Sequence, residues 1–226
     1  SHGKGGSMHL IDEPVGFIGS TAIVGGTVPV GVGLGYGMKV KKSDQVSCVF
    51  HGDAAVETGA FFESVNFAVL KKLPVLFVCE NNLYSVYSPL SVRQPEGRSI
   101  ATLVAGFGMP TSGRDGNDAV KVYAEVFEAI SEIRAGGGPR LVEFFTYRWL
   151  EHCGPSYDNY IGYRSESEFH EWQAKDPILR LQKAMLDNSI VTKRGLELMN
   201  YNIAREVEEA FTFAEESPMP SADSAY

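Results

Sequence analysis

The chain has 226 residues, 44% hydrophobic and 21% charged, which is enough apolar material for a packed core and too little charge for a disordered tail. Twenty Lys and Arg against 28 Asp and Glu give a formal net charge of −8, and the densest basic cluster is only Lys39, Lys41 and Lys42, which argues against a nucleic-acid partner. Cys48, Cys79 and Cys153 are odd in number, far apart and without a C-x-x-C pair, so neither a disulfide framework nor a zinc site is indicated; the default is a reducing setting, the cytoplasm or, in a eukaryote, the mitochondrial matrix.

In chain order, residues 14–38 carry no charge and are long enough to cross a bilayer, but their glycines and Pro29 break any continuous apolar run. They read instead as a Gly-rich loop leading into a helix packed closely on a sheet, with no membrane partner. VSCVFHG (46–52) reads as a strand buried on both faces. ETGAFFESVNFAVLKK (57–72) has helical spacing, with Phe61, Val65, Ala68 and Val69 on one face and Lys71 and Lys72 at the negative end. Pro74 ends that helix, and VLFVCE (75–80) is a second buried strand, completing a β-α-β unit with parallel strands. A short strand and a helix capped by Asn117 or Asp118 follow, with Val120, Ala124, Phe127 and Ile130 inward. That helix stops at the glycines 136–138, and RLVEFFTYR (140–148) is a further strand. Beyond Arg164 only helices are expected: one opened by a capping box at 165–168, one opened by Asp176-Pro177, and a long amphipathic stretch from Thr192 to Glu216. Residues 217–226 read as a loose tail. The expected fold is α/β, a doubly wound parallel sheet over 1–164 with a helical C-terminal extension over 165–226.

Ligands of open parallel sheets sit at the carboxyl ends of the strands. There the first strand runs into Gly52-Asp53-Ala54-Ala55 and the second into Glu80-Asn81-Asn82-Leu83-Tyr84, with Asp53 and Asn82 separated by 82 − 53 = 29 positions. A carboxylate, an amide oxygen and backbone carbonyls are hard donors suited to magnesium, and the helix that follows points its positive end at the same crevice. The physics suggests a magnesium-bridged phosphate or diphosphate. No P-loop is present, and the glycines at 31, 33, 35 and 37 miss the dinucleotide spacing. An Asp after a strand is often only a turn former, and His51 reads as a satisfied core histidine.

These residues also carry a resemblance. GDAAVETG…CENNLY is similar to the thiamine-diphosphate motif, which opens Gly-Asp-Gly and closes Asn-Asn. With HGKGGSMH, AIVGGTVPVGVG, KKLPVLFVCENN and TYRWLEHCGP…YR, the chain resembles, from His2 to about Pro220, the alpha subunit of thiamine-diphosphate-dependent 2-oxo acid dehydrogenases of pyruvate, branched-chain or acetoin type. The resemblance implies magnesium held by the side chains of Asp53 and Asn82 and the carbonyl of Tyr84. It implies backbone amides of Ala54 and Ala55 on the diphosphate, and the backbone of Ala22 and Val24 on the aminopyrimidine. His152 would reach the diphosphate or the reacting substrate as the catalytic histidine, and His9 matches a motif histidine near the site.

It further implies decarboxylation of a 2-oxo acid, acyl transfer to a lipoyl-bearing acyltransferase, and a heterotetramer with a beta-type subunit that supplies the activating glutamate. This chain would then be inactive without that subunit. The alternatives are another thiamine-diphosphate reaction, such as acetoin cleavage or a transketolase-like transfer, and a non-catalytic scaffold subunit. Several positions depart from the pattern. Ala54 replaces the motif's third residue, Gly; Glu57 stands at a frequent Asn; and Cys153 replaces a serine that regulatory kinases modify, so that control is not expected. The resemblance also implies a preceding N-terminal segment with a Tyr-Arg pair on the diphosphate. Either the sequence is a piece of a longer protein, or another chain supplies that part, or cofactor binding is lost.

Overall fold

The computed structural model describes Gly6 and residues 8–225. Residues 2–5 and Ser7, which carry most of the opening motif, lie outside the described residues, as does Tyr226. Contacts divide the chain into two compact units, Ile23–Pro177 and a second made of Ser1–Ala22 with Ile178–Tyr226.

The larger unit contains strands β1 (Ser47–Gly52), β2 (Val75–Asn81), β3 (Tyr84–Ser85), β4 (Ser88–Pro89), β5 (Thr111–Asp115) and β6 (Arg140–Phe145). Four of them form one parallel sheet in the order β1-β2-β6-β5, while β3 and β4 make a small antiparallel hairpin. Its helices are α1 (Thr27–Val40), α2 (Gly59–Lys71), α3 (Leu90–Arg93), α4 (Ile100–Ala105), α5 (Ala119–Glu132) and α6 (Glu166–Gln173). Side chains of β2 alternate: Val75, Phe77 and Cys79 enter a core with Val28 and Val32 of α1, Phe61, Val65 and Ala68 of α2, and Ile100 and Val104 of α4. Leu76 and Val78 enter a second core with Ala129 of α5 and the following Ile133. Helices on both faces make the sheet doubly wound, as expected.

The glycines of α1 act by close approach. A side chain at Gly31 would collide with Val49, and one at Gly35 with Val75, whereas Gly33 and Gly37 face open space. The helix therefore lies directly on the sheet through two of its four alternate glycines. Among the described residues, no helix is long and apolar enough to cross a membrane.

Three expectations change. β1 is not buried on both faces: Val49 and His51 point into the core while Cys48 and Phe50 are exposed on an edge strand of the sheet. In α5, Val120 and Phe127 are exposed, and the inward face is Val122, Val126, Ala129 and Ile130. Both sets obey helical spacing; the second wins because it also brings Glu125 onto β5, where it accepts from Ser112 and pairs with Arg114. At α6, Ser165 accepts from the Glu168 amide at 3.1 Å, but the Glu168 side chain does not complete a capping box; it binds Tyr84 instead.

Of the two cap candidates for α5, Asn117 and Asp118, the structure uses Asp118. Thr58 caps α2, Asp118 caps α5, and Thr192 caps α8 (Lys193–Glu216), the long helix that follows α7 (Pro177–Asp187). The extension expected over 165–226 divides: α6 belongs to the larger unit because Phe169 packs with Tyr84 and Tyr147. On α8, Met199, Ile203, Val207 and Phe211 form an exposed apolar stripe at helical spacing.

Candidate functional site

β1 and β2 run side by side with Gly52 opposite Glu80, so Asp53 and Asn82 leave neighbouring parallel strands at the same end. Asp53 opens the short 3-10 turn Asp53–Glu57, directly before α2, and its side chain is only 2% exposed. The N-terminal end of α2 therefore opens beside it, adding the partial positive charge of unpaired amides.

The loop after β2 is built by its two asparagines. Asn81 is fully buried: its side-chain NH2 donates to Glu143 Oε1 at 2.7 Å, and its Oδ1 accepts from the Leu83 amide at 3.0 Å. Asn82 Oδ1 accepts from the Tyr84 amide at 3.1 Å, which leaves that oxygen one further lone pair. Leu83 in this turn stands at φ +73°, and Val86 in the β3–β4 hairpin at φ +54°, left-handed conformations that cost about 1–3 kcal/mol each. Tyr84 between them is buried, and its hydroxyl donates to Glu168 at 2.8 and 3.0 Å. Burial first, and the Glu168 carboxylate second, push the Tyr84 hydroxyl well above its ordinary range, so it remains a donor.

The Asp53 carboxylate faces a cation from this same chain. Arg93, at the end of α3, pairs through Nη2 with Asp53 and through Nη1 with Glu57 Oε1 at 2.6 Å, while its Nε donates to Ser88 O at 3.2 Å. Gln94 Nε2 adds a contact to Glu57 at 3.3 Å. Glu57, the unexpected carboxylate of the motif, is thus matched by an equally unexpected guanidinium.

Ala54 is half-buried and Ala55 buried in the same turn. Val24 is exposed and precedes Gly25, whose missing Cβ would lie 2.7 Å from Thr58 Oγ1; this contact brings the 24–26 segment beside the start of α2. Ala22 and His9 fall in the smaller unit, where His9 donates its amide to Gly6 O at 3.1 Å. His152 is exposed in the loop after β6, near the turn in which Glu151 N donates to Ser156 O at 2.9 Å.

His51 is buried as expected, but only its Nδ1 has a partner, Gly52 O at 3.1 Å; Nε2 has none among the described residues. Desolvation lowers its pKa, against the opposing pull of the Gly52 carbonyl and the Asp53 charge. Among the described residues, no group of three or more His, Cys, Asp or Glu gathers as a metal cluster; the candidate set contains one carboxylate, one amide and one carbonyl. Sequence reasoning missed Arg93 and Glu168, whose partners lie 40 and 84 positions away. It quoted Arg164 within a motif without a role.

A family model described as "Dehydrogenase E1 component" matches residues 1–223. The chain is 35% identical over 226 residues to the "Pyruvate dehydrogenase E1 component subunit alpha" of Rickettsia conorii, covering 100% of this chain and 68% of that protein. It is likewise 35% identical to the subunit of the same name from Zymomonas mobilis, covering 100% of this chain and 63% of that one. Against the chloroplastic "Pyruvate dehydrogenase E1 component subunit alpha-3" of Oryza sativa it is 37% identical, covering 96% of this chain and 52% of that protein. The chain thus spans between half and about two thirds of the length of these relatives.

Proposed function

The chain belongs to the dehydrogenase E1 component family, and from that premise we propose that it is the alpha-type subunit of a thiamine-diphosphate-dependent 2-oxo acid dehydrogenase. The observation that carries the proposal is the pairing of Asp53 and Asn82 at the carboxyl ends of adjacent parallel strands, beside the opening of α2. The donor set fits magnesium: Asp53 is a desolvated carboxylate, and Asn82 and Tyr84 offer neutral oxygens on the turn after β2. Asp53, Asn82 Oδ1 and the Tyr84 carbonyl would hold the metal.

The amides of Ala54 and Ala55 would meet the diphosphate, and the backbone of Ala22 and Val24 the aminopyrimidine. Thiamine diphosphate, when bound, supplies the carbon nucleophile and electron sink for decarboxylation of a 2-oxo acid. His152 would hold or donate a proton at the diphosphate or the reacting substrate, with His9 as a further contact. In this reading a beta-type subunit supplies the activating glutamate and a lipoyl-bearing acyltransferase takes the acyl group. The exposed stripe of α8 and exposed Phe50 at the edge of the sheet are apolar surface of the kind a partner subunit covers. The three cysteines are free, which suits a reducing compartment.

The test is calorimetric titration of thiamine diphosphate, with and without magnesium, into the chain mixed with a beta-type subunit. Magnesium-dependent heat that Asp53→Ala abolishes is the expected result. Absence of heat in both proteins would sink the cofactor reading and leave a scaffold subunit. Acyl transfer from pyruvate, branched-chain 2-oxo acids and acetoin then identifies the substrate.

A further inference from the structure

We infer that Arg93 is a metal-displaceable latch on the crevice: it holds Asp53 in the metal-free protein, releases it to an arriving divalent cation, and remains on Glu57. The inference rests on Asp53 being the metal carboxylate, and it concerns two residues, Glu57 and Arg93, that the roles proposed above do not use.

The geometry is that of a guanidinium shared between two carboxylates. Its two Nη arms go to different acids, Nη2 to Asp53 and Nη1 to Glu57 at 2.6 Å. The two ends differ in solvent access. The Asp53 side chain is 2% exposed, Arg93 10% and Glu57 33%. A buried carboxylate needs a cation, and Arg93 supplies one to Asp53. At the wetter Glu57 end the guanidinium keeps a countercharge and access to water even when the Asp53 arm is released. A divalent ion at Asp53 and the guanidinium on its Oδ2 repel each other across a desolvated carboxylate, so the two cations compete for it. Binding is therefore competitive, and release of the Asp53 arm favours metal entry.

The element that carries Arg93 is built to move at little cost. α3 is a single turn, Leu90–Arg93, with no buried residue and no side-chain cap, set between Pro89 and Pro95. Among the described residues, Arg93's side chain is held beyond the two carboxylates by its Nε bond to Ser88 O at 3.2 Å. Few buried contacts mean a low free energy of local opening. Glu57 follows Asp53 by four positions in the same short turn, so the guanidinium passes from shared to single attachment by a local shift.

Manganese, a paramagnetic stand-in for magnesium, is titrated into the chain mixed with beta-type subunit, and free metal is counted by electron paramagnetic resonance, with no turnover involved. Arg93→Ala is expected to tighten manganese binding about tenfold, the size of an ordinary coupling between competing ligands. Arg93→Lys keeps the charge but cannot bridge two carboxylates with two arms, so it falls between wild type and Arg93→Ala; it also carries the test if the alanine variant misfolds. Equal or weaker binding by Arg93→Ala, with wild type binding normally, overturns the latch and leaves the metal site standing. Binding by Arg93→Lys that matches wild type also overturns it, in favour of a plain charge effect. Failure of both wild type and Arg93→Ala to bind manganese removes the metal site and the latch together.

Discussion

Two places in the larger unit set a carboxylate only 2% exposed against an arginine, and they hold that arginine in opposite ways. At Asp158 the partner is Arg164, itself 0% exposed. Arg164 donates to Asp158 at 2.8 Å, to Asn159 at 2.6 Å and to the carbonyls of Arg148 and Trp149, and lies 5.0–5.6 Å over the rings of Tyr147, Tyr163 and Phe169. Its donors and its faces are both taken, so it locks the loop between β6 and α6. At Asp53 the partner Arg93 has two carboxylates and one carbonyl, with no aromatic ring over its face among the described residues. The same ion pair is a permanent strut in one place and an exchangeable counterion in the other. Charge does not decide this; solvent access and the remaining donors and faces of the guanidinium do.

The largest expected effect is therefore at Arg164. Arg164→Ala removes the closest cation of Asp158, leaving it Arg148 at 3.9 Å and the Tyr163 hydroxyl at 2.9 Å, and is expected to cost about 3–5 kcal/mol in urea denaturation, with no recovery on adding magnesium. Arg93→Ala is expected to cost less, about 1–3 kcal/mol, and to recover most of it in excess magnesium, because Asp53 can take the metal instead. Equal losses, or equal response to magnesium, would break the comparison.

Of similar size is Tyr84→Phe, which removes the donor to Glu168 and is expected to cost about 1–3 kcal/mol by the same measurement. Its ordered partners make the Tyr84 turn the fixed side of the crevice, against the loosely held α3.

The smallest effect concerns His51. Its pKa is lowered by burial, so below about pH 6.5 the unfolded chain binds a proton that the folded chain refuses. Stability should be full above that pH and fall on acidification, by at most about 1.4 kcal/mol per pH unit. His51→Phe should flatten the limb between about pH 6.5 and 5 in urea titrations at stepped pH. An unchanged slope would show that another group titrates there.

Much of this protein is legible in the linear chain because it depends on neighbours along it. The β-α-β unit, the cap at Asp118, the start of α8 near Thr192, the break at Pro74 and the Gly-Asp and Asn-Asn strand ends follow from local conformational preference and periodicity, and the motifs add the family. Even the close approach of α1 was visible, though not which glycines make it. The tertiary structure decided the questions in which two local answers were equally good or the partner lay far away. It chose the inward face of α5, left one side of β1 open at the sheet edge, and moved the Glu168 carboxylate from its own helix to Tyr84. It also brought Arg93 onto Asp53 across 40 positions. Hydrogen-bonding capacity and charge are properties of a residue, but which partner satisfies them is a property of the packed chain, and no periodicity encodes it.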